Sequence, residues 1–478
     1  MRRLRFAALV SACAALAATT ADASPAFDRS GWLADLRQTR DAMSAGYANL
    51  EWAVAVRGMD LKAVYAEAEH GIEAAKDDAA ARKALDRLTE SFADGHLEIR
   101  WKSAATEVAS TPAPLCDRLG YFDAGDAGGI ATHAKVYASV GDRASHFPAG
   151  ILTVADKRIG VLRIPIFGPQ GFPDLCAPMM RAAKLTPQSP CDEACSDRVS
   201  VIADNFYLRE LEVQLKAVIA ARPDVLLVDA AGNGGGDNTS IALARMLSAK
   251  HLAAPRMGFV RSKAWAAQFA DDSAIRKAIA KAHGRERIFL RSIEARIRVA
   301  RAEAEKPCDR TPLWRDEPPG CSQVVDTPRY ASGYTPHELP PAWRHKAWAS
   351  EVSTTAALDY TPHLWAGPLI VLVDGGSASS TELFAAMLQD NHAALILGAP
   401  TYGAGCGHAS GAEPITLAHS GAKFSMPDCV RLRANGRDEV GGIEPDVLIG
   451  FHRRATPVQR ARRLEAALPA AIARVTAP

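Results

Sequence analysis

The chain has 478 residues, nine of them cysteine, with 48% hydrophobic and 23% charged residues and a formal net charge of +2. That is the balance of a soluble globular protein, and the length is enough for a large core and two domains. No global basic bias points to a nucleic-acid partner, and no internal stretch approaches the ~18 apolar residues of a membrane span.

The N-terminus stands apart. Met1-Arg2-Arg3-Leu4-Arg5 is basic, Phe6 to Ala18 is mostly apolar, and Ala21-Asp22-Ala23 is a small-x-small cleavage signal before Ser24. Residues 1–23 therefore read as a secretory signal peptide, which places the mature chain in the periplasm or outside the cell. Val10-Ser11-Ala12-Cys13 offers a lipoprotein anchor as a minor alternative. Cleavage removes three arginines and one aspartate, and the mature chain then carries no net charge.

Residues 24–102 read as a helical region. Apolar faces begin at Trp32, Leu33 and Leu36, resume at Leu61, Val64 and Ile72 after a break near Gly58, and end with Leu85 and Leu88. Residues 103–157 are rich in Ala, Gly, Pro and Asp and read as a linker or small subdomain. A core then runs over 158–478, opening with the strand Arg158 to Pro165. Phe206 to Arg222 is an amphipathic helix, Val225 to Asp229 a buried strand, and Ile241 to Leu247 a helix after a Gly-rich turn. An insertion over 255–350 carries one or two helices between Asp271 and Lys306 and a Pro/Cys-rich loop from Pro307 to Tyr334. Strands at 368–373 and 394–397 flank a helix from Glu382 to Asp390. This alternation predicts an α/β core of stacked βα units.

Eight cysteines remain after the signal, an even number in an exported chain, which predicts disulfides. They allow 105 connectivities. Proximity favours Cys308–Cys321 and Cys406–Cys429, with Cys191–Cys195 as a local bridge. No histidine stands at zinc-ligand spacing near Cys191 and Cys195, and neither a metal nor an organic cofactor is expected.

The chemistry concentrates after the strand ending at Val373. Asp374-Gly375-Gly376-Ser377-Ala378-Ser379-Ser380-Thr381-Glu382 is a Gly/Ser turn entering a helix. A serine at such a junction is presented near the helix N-terminus, where N–H groups and the dipole favour developing negative charge. The stretch, with Thr401-Tyr402-Gly403-Ala404-Gly405, resembles the C-terminal processing proteases and the related tricorn proteases, serine peptidases on a crotonase-like (ClpP-like) core. The resemblance implies Ser379 as nucleophile. The processing branch carries a lysine base in a Thr-aromatic-Gly-Lys-Gly turn; here that position is Ala404. The tricorn branch uses histidine and glutamate, and its motifs fall on Asp94-Gly95-His96 and on Glu439-Val440-Gly441-Gly442-Ile443-Glu444-Pro445-Asp446. The resemblance thus implies His96 as general base and Glu439 as the group orienting it. Asp438 and Glu444 are rivals of Glu439, and His408 and His392 are rivals of His96. For the oxyanion hole it implies the N–H groups of Ser380 and of Gly235 or Gly234, in the turn Ala230-Ala231-Gly232-Asn233-Gly234-Gly235-Gly236-Asp237. The family arginine of that turn is replaced by Ala231. Residues 103–157 are too few for the complete PDZ domain that processing proteases usually carry.

The expected activity is an exported serine peptidase that acts by acyl transfer on a peptide or protein. The alternative is an inactive module of the same fold that binds a peptide or an apolar ligand, a reading that Ala404 and Ala231 both fit. Oligomeric state is not encoded in any feature of the sequence.

Overall fold

The computed structural model describes residues 27–102, 113–125, 129–451 and 454–477. The signal-peptide reading of residues 1–23 lies outside them. The centre is a seven-stranded sheet. From one edge to the other it runs Val447–Leu448, Leu395–Gly398, Leu369–Val373, Val225–Asp229, Lys157–Arg163, Ala149–Val154 and Ala138–Ser139. The first five are mutually parallel and the last two antiparallel. Two strands before residue 158 therefore join the core sheet.

Parallel strands covered on both faces read as unbroken apolar runs, and Val225–Asp229 and Leu369–Val373 are buried throughout. Alternate side chains separate onto the two faces. Leu226, Val228, Val371 and Val373 pack with the helices Glu193–Ala220, Thr239–Met246 and Ser380–Asp390. Val225, Leu227, Ile370 and Leu372 pack with Leu464, Leu468 and Ile472 of the C-terminal helix Pro457–Val475. The helix Glu193–Ala220 starts well before the expected Phe206, because Asp192 caps it by accepting from the Cys195 N–H at 2.9 Å.

The N-terminal helices are Arg29–Gly46, Leu50–Ala55, Leu61–Glu73 and Asp78–Ser91. Asp28, Asp60 and Asp77 cap three of them through their side chains. Trp32, Leu36, Leu61, Ile72, Leu85 and Leu88 form one buried cluster, with Leu33 and Val64 packed at its margin. The insertion contributes the helices Lys263–Ala270, Ser273–Lys281 and Gly284–Ala304. Its ends are strands, Arg256–Val260 and Val324–Tyr330, which form a three-stranded antiparallel sheet with Cys429–Leu432. The second of these strands lies inside the expected Pro307–Tyr334 loop, where the Val324-Val325 pair supplies the β-branched side chains a strand favours.

Four disulfides are formed: Cys116–Cys176, Cys191–Cys195, Cys308–Cys321 and Cys406–Cys429. The two pairs favoured by proximity and the local Cys191–Cys195 bridge are among them. No helix among the described residues is long and apolar enough to cross a membrane.

One half-buried acidic pair, Asp204 and Asp237, lies beside the Gly-rich turn. Burial first, and the neighbouring Asp237 second, push the Asp204 carboxyl up to about 9. Asp237 is raised as well, by burial, although it accepts from the Thr239 N–H at 2.8 Å and hydroxyl at 2.6 Å. A carboxyl raised on folding favours the native state fully below its unfolded value near 4, and that contribution is lost as pH climbs toward 9. Asp204→Asn stays neutral, so its denaturation midpoint should lose most of this pH dependence. At pH 8 the variant should be the more stable of the two proteins. Denaturant titrations at pH 5 and pH 8 check this; an equal loss in both proteins would contradict it.

Candidate active site

The segment expected to carry the nucleophile is a strand-to-helix turn. Leu369–Val373 ends at Asp374, and Ser380–Asp390 begins directly after Ser379. Ser379 has φ 53° and ψ −114°, a conformation that costs a non-glycine residue about 1–3 kcal/mol. The turn that enforces it is laced to the Gly-rich turn. Ser377 Oγ donates to Ala230 O at 2.9 Å, the Ala378 N–H to Asn233 O at 3.0 Å and Thr381 Oγ1 to the same oxygen at 2.9 Å. Ser380 Oγ donates to Gly236 O at 2.9 Å. Ser379 itself remains half-buried and reachable.

Gly235 lies against this turn. A Cβ there would sit 2.7 Å from Ser379 Cβ and 3.0 Å from Ser380 N, so no other residue fits. The Gly235 N–H is donated to Asn233 Oδ1 at 2.9 Å. Gly234 is exposed, with nothing within 4 Å of where its Cβ would stand. The arginine missing at Ala231 has a substitute from the neighbouring strand. Arg163 is buried and donates to the carbonyls of Asp229 at 3.0 Å and Ala231 at 2.6 Å. The turn is thus held from outside rather than by its own side chain.

His96 follows the helix Asp78–Ser91 in a tight turn. Asp94 is buried; its Oδ1 accepts from the His96 N–H at 3.0 Å, and its Oδ2 accepts from Tyr47 Oη at 2.9 Å and Asn49 Nδ2 at 2.8 Å. The His96 Nδ1 stands 2.8 Å from Ala404 O. A carbonyl only accepts, so Nδ1 carries the proton and Nε2 keeps its lone pair. Gly407, with φ 80°, leaves room for the ring: a Cβ there would meet His96 Nε2 at 3.1 Å. Ala404, at the position where the resemblance leads one to expect a lysine, therefore holds the histidine through its backbone carbonyl.

Glu439 is fully buried and accepts from Arg431, whose Nε lies 2.8 Å from Oε1 and whose Nη2 reaches the same oxygen. The same Nη2 donates to Ser379 O at 2.9 Å and Gly405 O at 2.6 Å. Burial raises the Glu439 carboxyl to about 7, with Glu382 adding to the rise and Arg431 opposing it. The orienting position on His96 Nδ1 is held by the Ala404 carbonyl, while the hydrogen-bonded oxygen of Glu439 is on Arg431. Glu439 joins the site from beneath, through the Ser379 carbonyl.

The rivals are placed differently. His408 packs edge-on against His96 with ring centroids 6.0 Å apart. His392 follows the far end of the Ser380–Asp390 helix, which at 1.5 Å per residue puts it about 15 Å from the nucleophile turn. Asp438 caps its own turn by accepting from the Val440 N–H at 3.0 Å, and burial raises it to about 7. Glu444 is exposed.

The residue that sequence reasoning quoted without a role is Glu382. It is fully buried. Its Oε2 accepts from the Ser379 N–H at 2.8 Å and the Ala404 N–H at 2.9 Å. Its Oε1 accepts from Thr401 Oγ1 at 2.7 Å and the Gly403 N–H at 2.6 Å. One carboxylate thus holds both the Ser379 turn and the Ala404 peptide unit that contacts His96. The Ser-x-x-Glu spacing of a capping box was the available signal. Gln in this place must turn its NH2 group toward two donors on one side or the other. Glu382→Gln should therefore cost about 3 kcal/mol of stability, since buried donors are left unpaired, and turnover should fall with it. A wild-type urea midpoint for this variant would contradict the arrangement.

A cavity of about 470 Å³ opens beside His408, lined by Ala45, Val260, Pro414, Phe424 and Met426 among others. The disulfide Cys406–Cys429 links the segment of Gly407 and His408 to the strand that carries Arg431.

Comparison with known proteins places this geometry. Among solved structures, mature CPAF complexed with lactacystin aligns with a TM-score of 0.62 at 14% sequence identity, covering 94% of this chain and 99% of that one. A second structure of mature CPAF gives 0.57 at 14% identity, covering 94% and 98%. At this identity the likeness is one of fold. The profile of peptidase family S41 matches residues 206–449, which span the Gly-rich turn, the Ser379 turn and Glu439. On that match, the chain belongs to peptidase family S41.

Proposed function

We propose that this S41 peptidase cleaves peptide bonds by acyl transfer through a covalent ester on Ser379, with His96 as general base, in the manner of the tricorn-type branch. The observation that carries the reading is the path Ser379 N–H, Glu382 carboxylate, Ala404 peptide unit, His96 Nδ1. It ties Ser379 and His96 to one buried carboxylate, which supports these roles.

His96 Nε2 takes the Ser379 proton as Oγ attacks the carbonyl carbon of the substrate, and returns it to the leaving amine when the C–N bond breaks. Water then attacks the ester by the same route and restores the free serine. The oxyanion is met by the Ser380 N–H at the helix start and by the Gly-rich turn. Gly234 is favoured over Gly235 there, because the Gly235 N–H is committed to Asn233. The Ala404 carbonyl takes the orienting place of a triad carboxylate. Glu439 acts through Arg431, holding the Ser379 and Gly405 carbonyls.

The cavity beside His408 suits an apolar side chain of a peptide or protein substrate. Export to the periplasm or beyond is supported by the basic and apolar start of the sequence and by the four disulfides. The test is turnover of a fluorogenic peptide library that varies the residues flanking the scissile bond. Cleavage concentrated on peptides with an apolar flanking residue is expected; no cleavage of any member by well-folded protein would overturn the reading.

A further inference from the structure

Away from Ser379, three potential metal ligands meet where the insertion rests on the core. His251 follows the helix Thr239–Met246, Glu338 lies in the insertion, and His363 precedes the strand that leads to Ser379. One ligand atom from each lies within 4.8 Å of the others.

The three are oriented by their surroundings. His363 has φ 60°, and its N–H donates to Arg245 O at 2.9 Å. Its Nδ1 is engaged by the Ser248 carbonyl, which assigns the proton to Nδ1 and leaves Nε2 as the coordinating nitrogen. Glu338 is placed by its neighbours, since the Ala254 N–H donates to Pro336 O at 2.8 Å and His337 Nδ1 stands 3.3 Å from Leu252 O. Its Oε1 faces Arg245 Nε at 3.7 Å and has no hydrogen-bond partner, while its Oε2 faces His363 Nε2 at 3.9 Å. That last separation is too long for a hydrogen bond. It is close to the roughly 3.4 Å between neighbouring ligands of a tetrahedral ion with bonds of about 2.0–2.1 Å. The His251 ring stands edge-on to His363 at 5.3 Å between centroids. It is exposed, so rotation of its side chain closes the remaining gap.

We propose that His251, Glu338 and His363 form a binding site for one divalent transition-metal ion of the zinc class, with solvent in the fourth position. Two imidazoles and one carboxylate are a donor set that suits Zn²⁺ and Co²⁺ over Mg²⁺ or Ca²⁺. The ion clamps the insertion to the core, where the segment after the helix Thr239–Met246 meets the segment before the strand Leu369–Val373. The site is separate from the proposed catalytic residues, and its existence does not depend on their roles.

The test uses the mature chain with its disulfides intact, stripped with chelator and titrated with Zn²⁺ and with Co²⁺. Calorimetry and the cobalt absorption spectrum read stoichiometry and geometry. One ion per chain is expected, together with a rise in thermal midpoint on zinc addition. His251→Ala, at an exposed position, and Glu338→Gln should each weaken binding on the order of 100-fold. The His96→Ala/His408→Ala double variant should bind as wild type does, which separates this site from the other histidine pair. Metal-free circular dichroism and thermal midpoints establish that each variant is folded. Wild-type affinity in His251→Ala, or binding lost only in the His96/His408 variant, overturns the proposal.

Discussion

Ser379→Ala should reduce peptide turnover by about 10⁴-fold or more while the protein stays folded. Removing the nucleophile of a serine peptidase leaves only binding and oxyanion stabilisation. The fold has little reason to suffer. The hydrogen bonds that shape the turn come from the Ser379 backbone, through its N–H to Glu382 and its carbonyl to Arg431, and from Ser377, Ser380 and Thr381. None of these is removed with the hydroxyl, whose own loss is the cap on the Glu382 N–H, a contact of about 1 kcal/mol. Alanine meets the same positive φ as serine, so the turn's cost is carried over. A variant with a denaturation midpoint near that of wild type and no turnover is the expected result. Retained turnover would remove Ser379 from the mechanism.

His96→Ala should cost nearly as much, because nucleophile and base act as a unit. The expected drop is on the order of 10³-fold or more in kcat, with a smaller change in KM. Two features allow the variant to fold: the Asp94 contacts to Tyr47 and Asn49 remain, and the His96 N–H still donates to Asp94. His408 stands edge-on to the vacated position, at 6.0 Å between centroids in the wild type. Near-normal turnover in His96→Ala would therefore assign the base to His408, and His408→Ala would then carry the loss. In the present account His408→Ala changes turnover modestly, by altering the wall of the apolar cavity.

The parts of this architecture that were legible in the sequence share one property: their pattern is local. The strands Val225–Asp229 and Leu369–Val373 are uninterrupted apolar runs because both of their faces are covered, and the Gly/Ser turn after Val373 announces itself by composition. The N-terminal faces beginning at Trp32, Leu61 and Leu85 follow helical spacing and pack as one cluster. The family, too, rested on short contiguous motifs around Ser379, and the match over residues 206–449 shows it.

What sequence did not reveal depends on contacts distant along the chain. Arg163 lies 68 residues before Ala231, so nothing near Ala231 says that the missing arginine is replaced from the next strand. The hydrogen bond of His96 to Ala404 spans 308 residues and uses a backbone carbonyl, which has no sequence signature at all. Arg431 stands only eight residues from Glu439, yet the pair is recognisable only once the strand Cys429–Leu432 turns back over the site. Glu382 is the intermediate case. Its capping spacing from Ser379 was visible, while its second role, holding Gly403 and Ala404, required the fold.

The most direct test of the account is whether Ser379 is an activated nucleophile. Mature protein is treated with a fluorophosphonate probe, digested and mapped by mass spectrometry, beside Ser379→Ala and His96→Ala. A single modified residue, Ser379, is expected, with labelling abolished in the first variant and slowed by orders of magnitude in the second. Well-folded protein that takes no label, or takes it equally in all three forms, would contradict it.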